Sequence, residues 1–212
     1  ILTHTQWSDN YAYIADTTPP TVSSVAITSA PFSSAPSSLG LQNSFLNADD
    51  RVKETVTFNE VYPSAVIVSG NPTLTLDVGG TNRTAAYHSD NNTTPSSTND
   101  NATLVFEYTI KETGTLGEND PNGISIVANA LNSNSITIMD RAGNIATNSD
   151  LANSRVQDNP NYKVDTTPPS VVSFTMDDIE IKTNAGGVET ATVTLVFSEP
   201  VCGASSGCSL SQ

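Results

Sequence analysis

Five carboxylates in this chain stand where oxygen ligands could gather. Asp16 opens Asp16-Thr17-Thr18-Pro19-Pro20, Glu60 closes Val56-Thr57-Phe58-Asn59-Glu60, and Asp140 begins Asp140-Arg141-Ala142-Gly143-Asn144. Asp165 and Glu199 occupy second copies of the first two segments, Asp165-Thr166-Thr167-Pro168-Pro169 and Phe197-Ser198-Glu199. Oxygen-only ligands suit a hard cation such as calcium rather than a transition metal.

Other chemistry is sparse. His4 and His88 are the only histidines, and neither a Gly-x-Ser-x-Gly elbow nor a phosphate-binding glycine loop is present. A glycosidase pair would need a walled cleft that shifts one carboxyl pKa. Trp7, Tyr11 and Tyr13 could stack on a sugar ring, but they lie in or near one terminal strand and are expected to pack in or against a sheet. The chain therefore reads as non-catalytic. Cys202 and Cys208 share one small-residue loop. In an oxidising compartment they are expected to close a local disulfide, with free thiols the alternative. The acidic run Glu118-Asn119-Asp120-Pro121-Asn122-Gly123 lacks the ligand spacing of an EF-hand and reads as a polar turn. Asp49-Asp50 and Asp177-Asp178 read as loop-to-strand edges. Asn82-Arg83-Thr84, Asn91-Asn92-Thr93, Asn92-Thr93-Thr94 and Asn101-Ala102-Thr103 match the glycosylation acceptor pattern. An Asn- and Thr-rich chain yields such triplets by composition, so no glycan is inferred from them.

With 22 acidic against 8 basic residues the net charge is −14. Nucleic acid and anionic lipid would be repelled and cations attracted. Solubility in a salty extracellular medium is the plain alternative explanation. No apolar run approaches the ~18 residues of a membrane span, so no membrane insertion is expected of this segment. No signal peptide or basic targeting stretch is recognisable at Ile1. The chain begins and ends in mid-pattern and is expected to be a piece of something longer.

The elements that must position these carboxylates come in repeats. Asp16-Thr17-Thr18-Pro19-Pro20-Thr21-Val22 returns 149 residues later as Asp165-Thr166-Thr167-Pro168-Pro169-Ser170-Val171. The Phe58-Asn59-Glu60 signature follows the first copy and Phe197-Ser198-Glu199 the second. Ordered signatures that recur together mark tandem units. Residues 1–15 then read as the terminal strand of a preceding repeat, 16–20 as a linker and 21–164 as one complete domain. Residues 165–169 read as a second linker, and 170–212 as the opening strands of a following repeat. The Pro-Pro pairs make each linker short, extended and stiff.

Strand signals are plentiful and helical spacing is nowhere sustained, although Ser125–Leu131 could hold one helical turn. Strands are expected at Val22–Thr28, Arg51–Phe58, Thr73–Val78, Thr81–His88, Thr103–Ile110, Gly123–Val127, Ser135–Met139 and Tyr162–Val164. Gly79-Gly80 should turn the third into the fourth. Leu104, Phe106, Tyr108 and Ile110 fall on one face. In the following repeat, strands are expected at Ser170–Met176 and Glu189–Phe197. Residues 89–101 hold no large apolar side chain and read as an exposed loop. Short strands bounded by turns imply an all-β, antiparallel, Greek-key β-sandwich.

The Asp-Thr-Thr-Pro-Pro linkers, Val56-Thr57-Phe58-Asn59-Glu60, Val193-Thr194-Leu195-Val196-Phe197-Ser198-Glu199 and Asp140-Arg141-Ala142-Gly143-Asn144 together resemble the bacterial immunoglobulin-like domains of tandem surface adhesins. That resemblance implies an immunoglobulin-like sandwich in an extracellular or cell-surface stalk, with cations at some domain junctions. Immunoglobulin topology would run the second and penultimate strands back toward the incoming linker. Asp16, Glu60 and Asp140 should therefore meet at one end of the domain, and Asp165 with Glu199 should supply two members of the next junction. Three carboxylates close together repel, by roughly 3 kcal/mol per pair at about 5 Å and an effective dielectric near 20. Calcium would remove that repulsion. The competing expectation is that Asp16 and Asp140 bond local backbone while Glu60 is solvated.

The function these features favour is a structural repeat of an extracellular stalk, filament or adhesin. Its expected partners are neighbouring repeats, or identical subunits joined head to tail by residues 1–15 and 170–212. The alternative is an adhesive module that contacts a glycan or a host surface protein through loop 89–101.

Overall fold

The structure, a computed structural model, describes residues 15–29, 45–61, 65–89, 101–111, 118–132, 136–177, 191–199 and 201. Residues 1–14 with Trp7, Tyr11 and Tyr13, most of loop 89–101, and Cys202 with Cys208 lie outside them, and with them the expectations they carried.

Among the described residues every regular element of three residues or more is a strand. β1 (Val22–Ser29), β3 (Arg51–Val61), β7 (Asn101–Thr109), β6 (Thr81–Tyr87), β5 (Thr73–Val78) and β9 (Ser125–Asn132) form one six-stranded sheet in that spatial order, and every pair is antiparallel. Ser125–Leu131 lies within β9 and is strand, not a helical turn. The possible helical turn gives way because β5 offers a ladder: Leu74 pairs with Leu131 and Leu76 with Ile126. β4 (Ile67–Ser69) and β10 (Thr137–Met139) pair with each other and prolong the β5–β9 ladder past Pro72.

Period-two alternation places the core. β3 turns Val52, Glu54, Val56, Phe58 and Glu60 inward, and β5 turns Leu74, Leu76 and Val78 inward. Leu104, Phe106, Tyr108 and Ile110 are all buried. Each large apolar side chain taken from water this way stabilises the fold by about 1.5–3 kcal/mol. Between β5 and β6, Gly79 and Gly80 hold φ of 58° and 81°. Two left-handed residues in a two-residue connection give the hairpin turn whose twist matches the flanking strands.

The sheet curls until its edges nearly meet. Residues 145–162 run antiparallel to β9 and β10 without forming a regular strand. Ala146 N donates to Ile138 O at 2.9 Å, Val156 N to Ile126 O at 2.9 Å and Asn159 N to Ile124 O at 3.1 Å. On the far side of that segment, Asp150 O accepts from Val22 N of β1 at 2.8 Å. The first domain is thus an all-β, nearly closed, barrel-like sheet. A small separate sheet joins β2 (Phe45–Leu46), β11 (Lys163–Asp165) and β8 (Asn119–Asp120), in the order β2-β11-β8.

β12 (Val171–Met176) and β13 (Val193–Phe197) form an antiparallel pair that copies β1 and β3. Val171 pairs with Phe197 as Val22 pairs with Phe58, and Phe174 pairs with Leu195 as Val25 pairs with Val56. Both ribbons carry the same irregularity, between Val22 and Ser24 and between Val171 and Ser173. Asn59 N donates to Thr21 O at 2.9 Å, and the equivalent Ser198 N donates to Ser170 O at 2.8 Å. The sequence repeat is a structural repeat.

A candidate cation site at the incoming linker

Asp16, Glu60 and Asp140 each bring one carboxylate oxygen to within 4.8 Å of the other two. They come from three elements: the linker before β1, the far end of β3, and the turn after β10. Strand polarity brings the last two together. β3 and β10 both end at the edge where the linker enters, and 4.8 Å allows one ion to touch all three.

The three carboxylates differ in how they are held. Asp140 is fully buried, and its Oδ1 accepts from Asn144 N at 2.8 Å while its Oδ2 accepts from Asn144 Nδ2 at 2.7 Å. The turn closes on itself through Asp140 N to Asn144 O at 3.1 Å. Gly143 makes that possible with φ of 92°, a conformation costly for a side-chain-bearing residue. Asp16 is exposed, and its Oδ1 accepts from Thr18 N at 3.0 Å, fixing the linker's first bend. Both local bonds were expected under the competing reading.

Glu60 is 7% exposed as a residue. Among the described residues its carboxylate has no hydrogen-bond donor and no ion-pair partner. The two other carboxylates of the cluster repel it. No basic side chain among the described residues pairs with any of the three. Three carboxylate oxygens are fewer than the 6–8 ligands that calcium takes. The fold also turns the Asp16 and Thr18 carbonyls toward this turn, where Asn144 Nδ2 donates to them at 3.1 and 3.5 Å.

Asp165 and Glu199 repeat the local settings of Asp16 and Glu60. Asp165 Oδ1 accepts from Thr167 N at 3.0 Å, as Asp16 Oδ1 accepts from Thr18 N. Glu199 follows β13 as Glu60 ends β3, and it is half-buried. Among the described residues neither belongs to a cluster of three potential ligands.

The Glu118–Gly123 run is a polar turn, with Asp120 Oδ1 accepting from Asn122 N at 3.2 Å, but its two acids are buried. Glu118 and Asp120 are 3% and 5% exposed. Glu118 accepts from the Tyr108 hydroxyl at 2.5 Å and from Lys111 N at 3.0 Å, and it pairs with Arg83. Asp120 Oδ1 accepts from Gly123 N at 2.9 Å, and its Oδ2 from Gly79 N at 2.8 Å. A carboxylate so fully bonded has little left for a metal. Its neighbour Asn119 accepts from Thr166 N at 3.0 Å and donates to Thr167 Oγ1 at 2.6 Å. This node grips the outgoing linker. Sequence reading missed both linker-gripping amides, Asn119 and Asn144; their signal is an Asn at a turn within each acidic run.

Comparison with models of protein families, with curated proteins and with solved structures returns no match.

Proposed function

We propose that the chain is a non-catalytic structural repeat of an extracellular or cell-surface stalk, filament or adhesin. Calcium bound by Asp16, Glu60 and Asp140 stiffens the joint between successive repeats. The observation that carries this reading is the convergence of Glu60 with an acid on the linker and an acid on the closing turn, one oxygen of each lying within 4.8 Å of the others. An ion there ties the linker to two strands that are remote in sequence. At the other end the same linker motif is pinned by Asn119 and by the β8–β11 ladder. In an array, one Asp-Thr-Thr-Pro-Pro segment is thus held from behind by hydrogen bonds and from ahead by the ion.

An immunoglobulin-like reading of the fold rests on strand order. The run β1-β3-β7-β6 follows the A-B-E-D order of one immunoglobulin sheet, and β5, β9 and residues 145–162 follow C-F-G. The β5–β6 hairpin joins the two groups into one curled sheet.

Amide hydrogen exchange of the whole chain tests the joint. Millimolar calcium should slow exchange at Thr17 and Thr18 severalfold, and Glu60→Gln should abolish that slowing. Identical linker exchange with calcium and with chelator would contradict the proposal.

A further inference from the structure

An opening lies where the closing segment passes β9. Between Ala146 and Asn153 that segment forms a turn, in which Asp150 N and Leu151 N both donate to Thr147 O, at 3.0 and 3.2 Å. Opposite the turn β9 bulges. Leu76 pairs with Ile126 and Leu74 with Leu131, so residues 127–130 stand against Thr75 alone. Asn153 fills the bulge: its Oδ1 accepts from Ala130 N at 2.7 Å, its Nδ2 donates to Val127 O at 3.0 Å, and its carbonyl accepts from Asn129 N at 2.9 Å. Asn129 takes a φ of 53°, left-handed backbone that asparagine tolerates better than most residues. Between bulge and turn lies a half-open cleft of about 520 Å³, lined by Asn129, Asn132, Asn148, Ser149, Leu131 and Leu151 among others. The two leucines, 7% and 4% exposed, give it an apolar floor beneath polar walls.

The cleft has the size of a small-molecule site, and its lining selects the ligand. No lining residue is charged. The flanking charges are engaged elsewhere: Asp150 Oδ2 accepts from Thr147 N and Thr147 Oγ1, both at 2.7 Å, and Arg155 pairs with Asp77 and Asp158. A charged ligand would meet no counter-charge here, and an anion would also meet a chain of net charge −14. A wholly apolar ligand would strip water from the amides and return no hydrogen bond. An extended peptide needs an open strand edge, and along the bulge β9 is already bonded to Val156 and Asn153. A neutral pyranose meets every condition. Each asparagine amide offers an acceptor and two donors to sugar hydroxyls, and the leucine floor receives the C–H face of the ring.

We propose that this cleft binds a neutral sugar residue, a function additional to the structural one and remote in sequence from loop 89–101. Titration of the isotope-labelled full chain with the methyl glycosides of galactose, glucose and mannose, followed by amide chemical shifts, tests it. At least one sugar should give saturable shifts centred on residues 129–132 and 148–152. Asn129→Gly keeps the left-handed backbone, removes only the amide, and should weaken binding roughly tenfold, the scale of one or two lost hydrogen bonds. Ala152→Trp, which adds bulk at an exposed lining position, should abolish it. The uronate counterpart of the bound sugar should bind more weakly than the neutral form. Slow exchange at the Ala130 amide reports that Asn153 still holds the bulge in each variant. No saturable shift with any of the three sugars, shifts centred elsewhere, or an affinity indifferent to either variant would overturn the proposal. Asp140→Asn, which alters the candidate cation site, should leave sugar binding as it was.

Discussion

The side-chain amide of Asn144 reaches the backbone carbonyl of Asp16 at 3.1 Å, across 128 residues of sequence. The same nitrogen donates to Asp140 Oδ2 at 2.7 Å. One amide therefore fastens the linker and orients a proposed ligand. Asn144→Ala should lower stability by about 1–2 kcal/mol, the scale of one or two lost hydrogen bonds. It should weaken calcium binding as well. Chemical denaturation with and without calcium measures both effects, and an unchanged midpoint in both would remove Asn144 from the account.

Glu60→Gln should act with opposite sign in the two conditions. Without calcium it removes a charge that faces two others, and stability should rise by about 1–3 kcal/mol. With excess calcium it removes a ligand. The gain that binding confers, about 2.7 kcal/mol at a hundredfold excess of ligand over Kd, should then shrink. Thermal melts in chelator and in calcium give the two signs directly.

Glu54 is a different kind of buried acid. It is fully buried on β3, and both carboxyl oxygens lack a hydrogen-bond partner. Burial is the main cause that raises its pKa well above the ordinary value, and nearby Glu107 adds to it. A carboxyl raised in the folded state binds more protons there than in the unfolded chain. Its penalty is therefore absent below the unfolded value, near 4.3, and grows as pH rises toward the folded pKa. The ribbon repeat has Val193 at this position. Glu54→Val should raise stability at neutral pH by about 1–3 kcal/mol and flatten its decline between pH 4 and 7. Denaturation midpoints across that range provide the check.

The outgoing linker depends on Asn119. Asn119→Ala removes the acceptor for Thr166 N and the donor to Thr167 Oγ1. Cleavage by a broad-specificity protease within residues 165–169 should speed up severalfold, while the melting of the first domain moves by only a few degrees. Unchanged cleavage would mean that the β8–β11 ladder alone holds the segment.

Much of this architecture was legible in the sequence because the signals were local and periodic. Alternation in Thr73–Val78 and Thr103–Ile110 identified β5 and β7, and Gly79-Gly80 identified the turn from β5 into β6. The convergence of Asp16, Glu60 and Asp140 followed from strand direction once two strands were assigned to the same end. The nearly closed sheet was not legible. Its closure runs through residues 145–162, which bond to β9 and β10 at scattered points and carry no alternation. Glu54 was invisible as a core residue because a charged side chain in an alternating run does not announce which face it takes. The burial of Glu118 and Asp120 was not legible because their partners Tyr108, Arg83 and Gly79 meet them only through the fold. Asn144 and Asn119 were hidden in the same way, since an amide that grips a remote backbone leaves no spacing pattern.

Calorimetric titration of the intact chain with calcium tests the central claim most directly. The account predicts one ion per chain, an affinity in the ~10⁻⁴–10⁻³ M range of extracellular modules, a raised melting temperature, and loss of both effects in Asp140→Asn. No heat and an unmoved melting temperature at several millimolar calcium would contradict it.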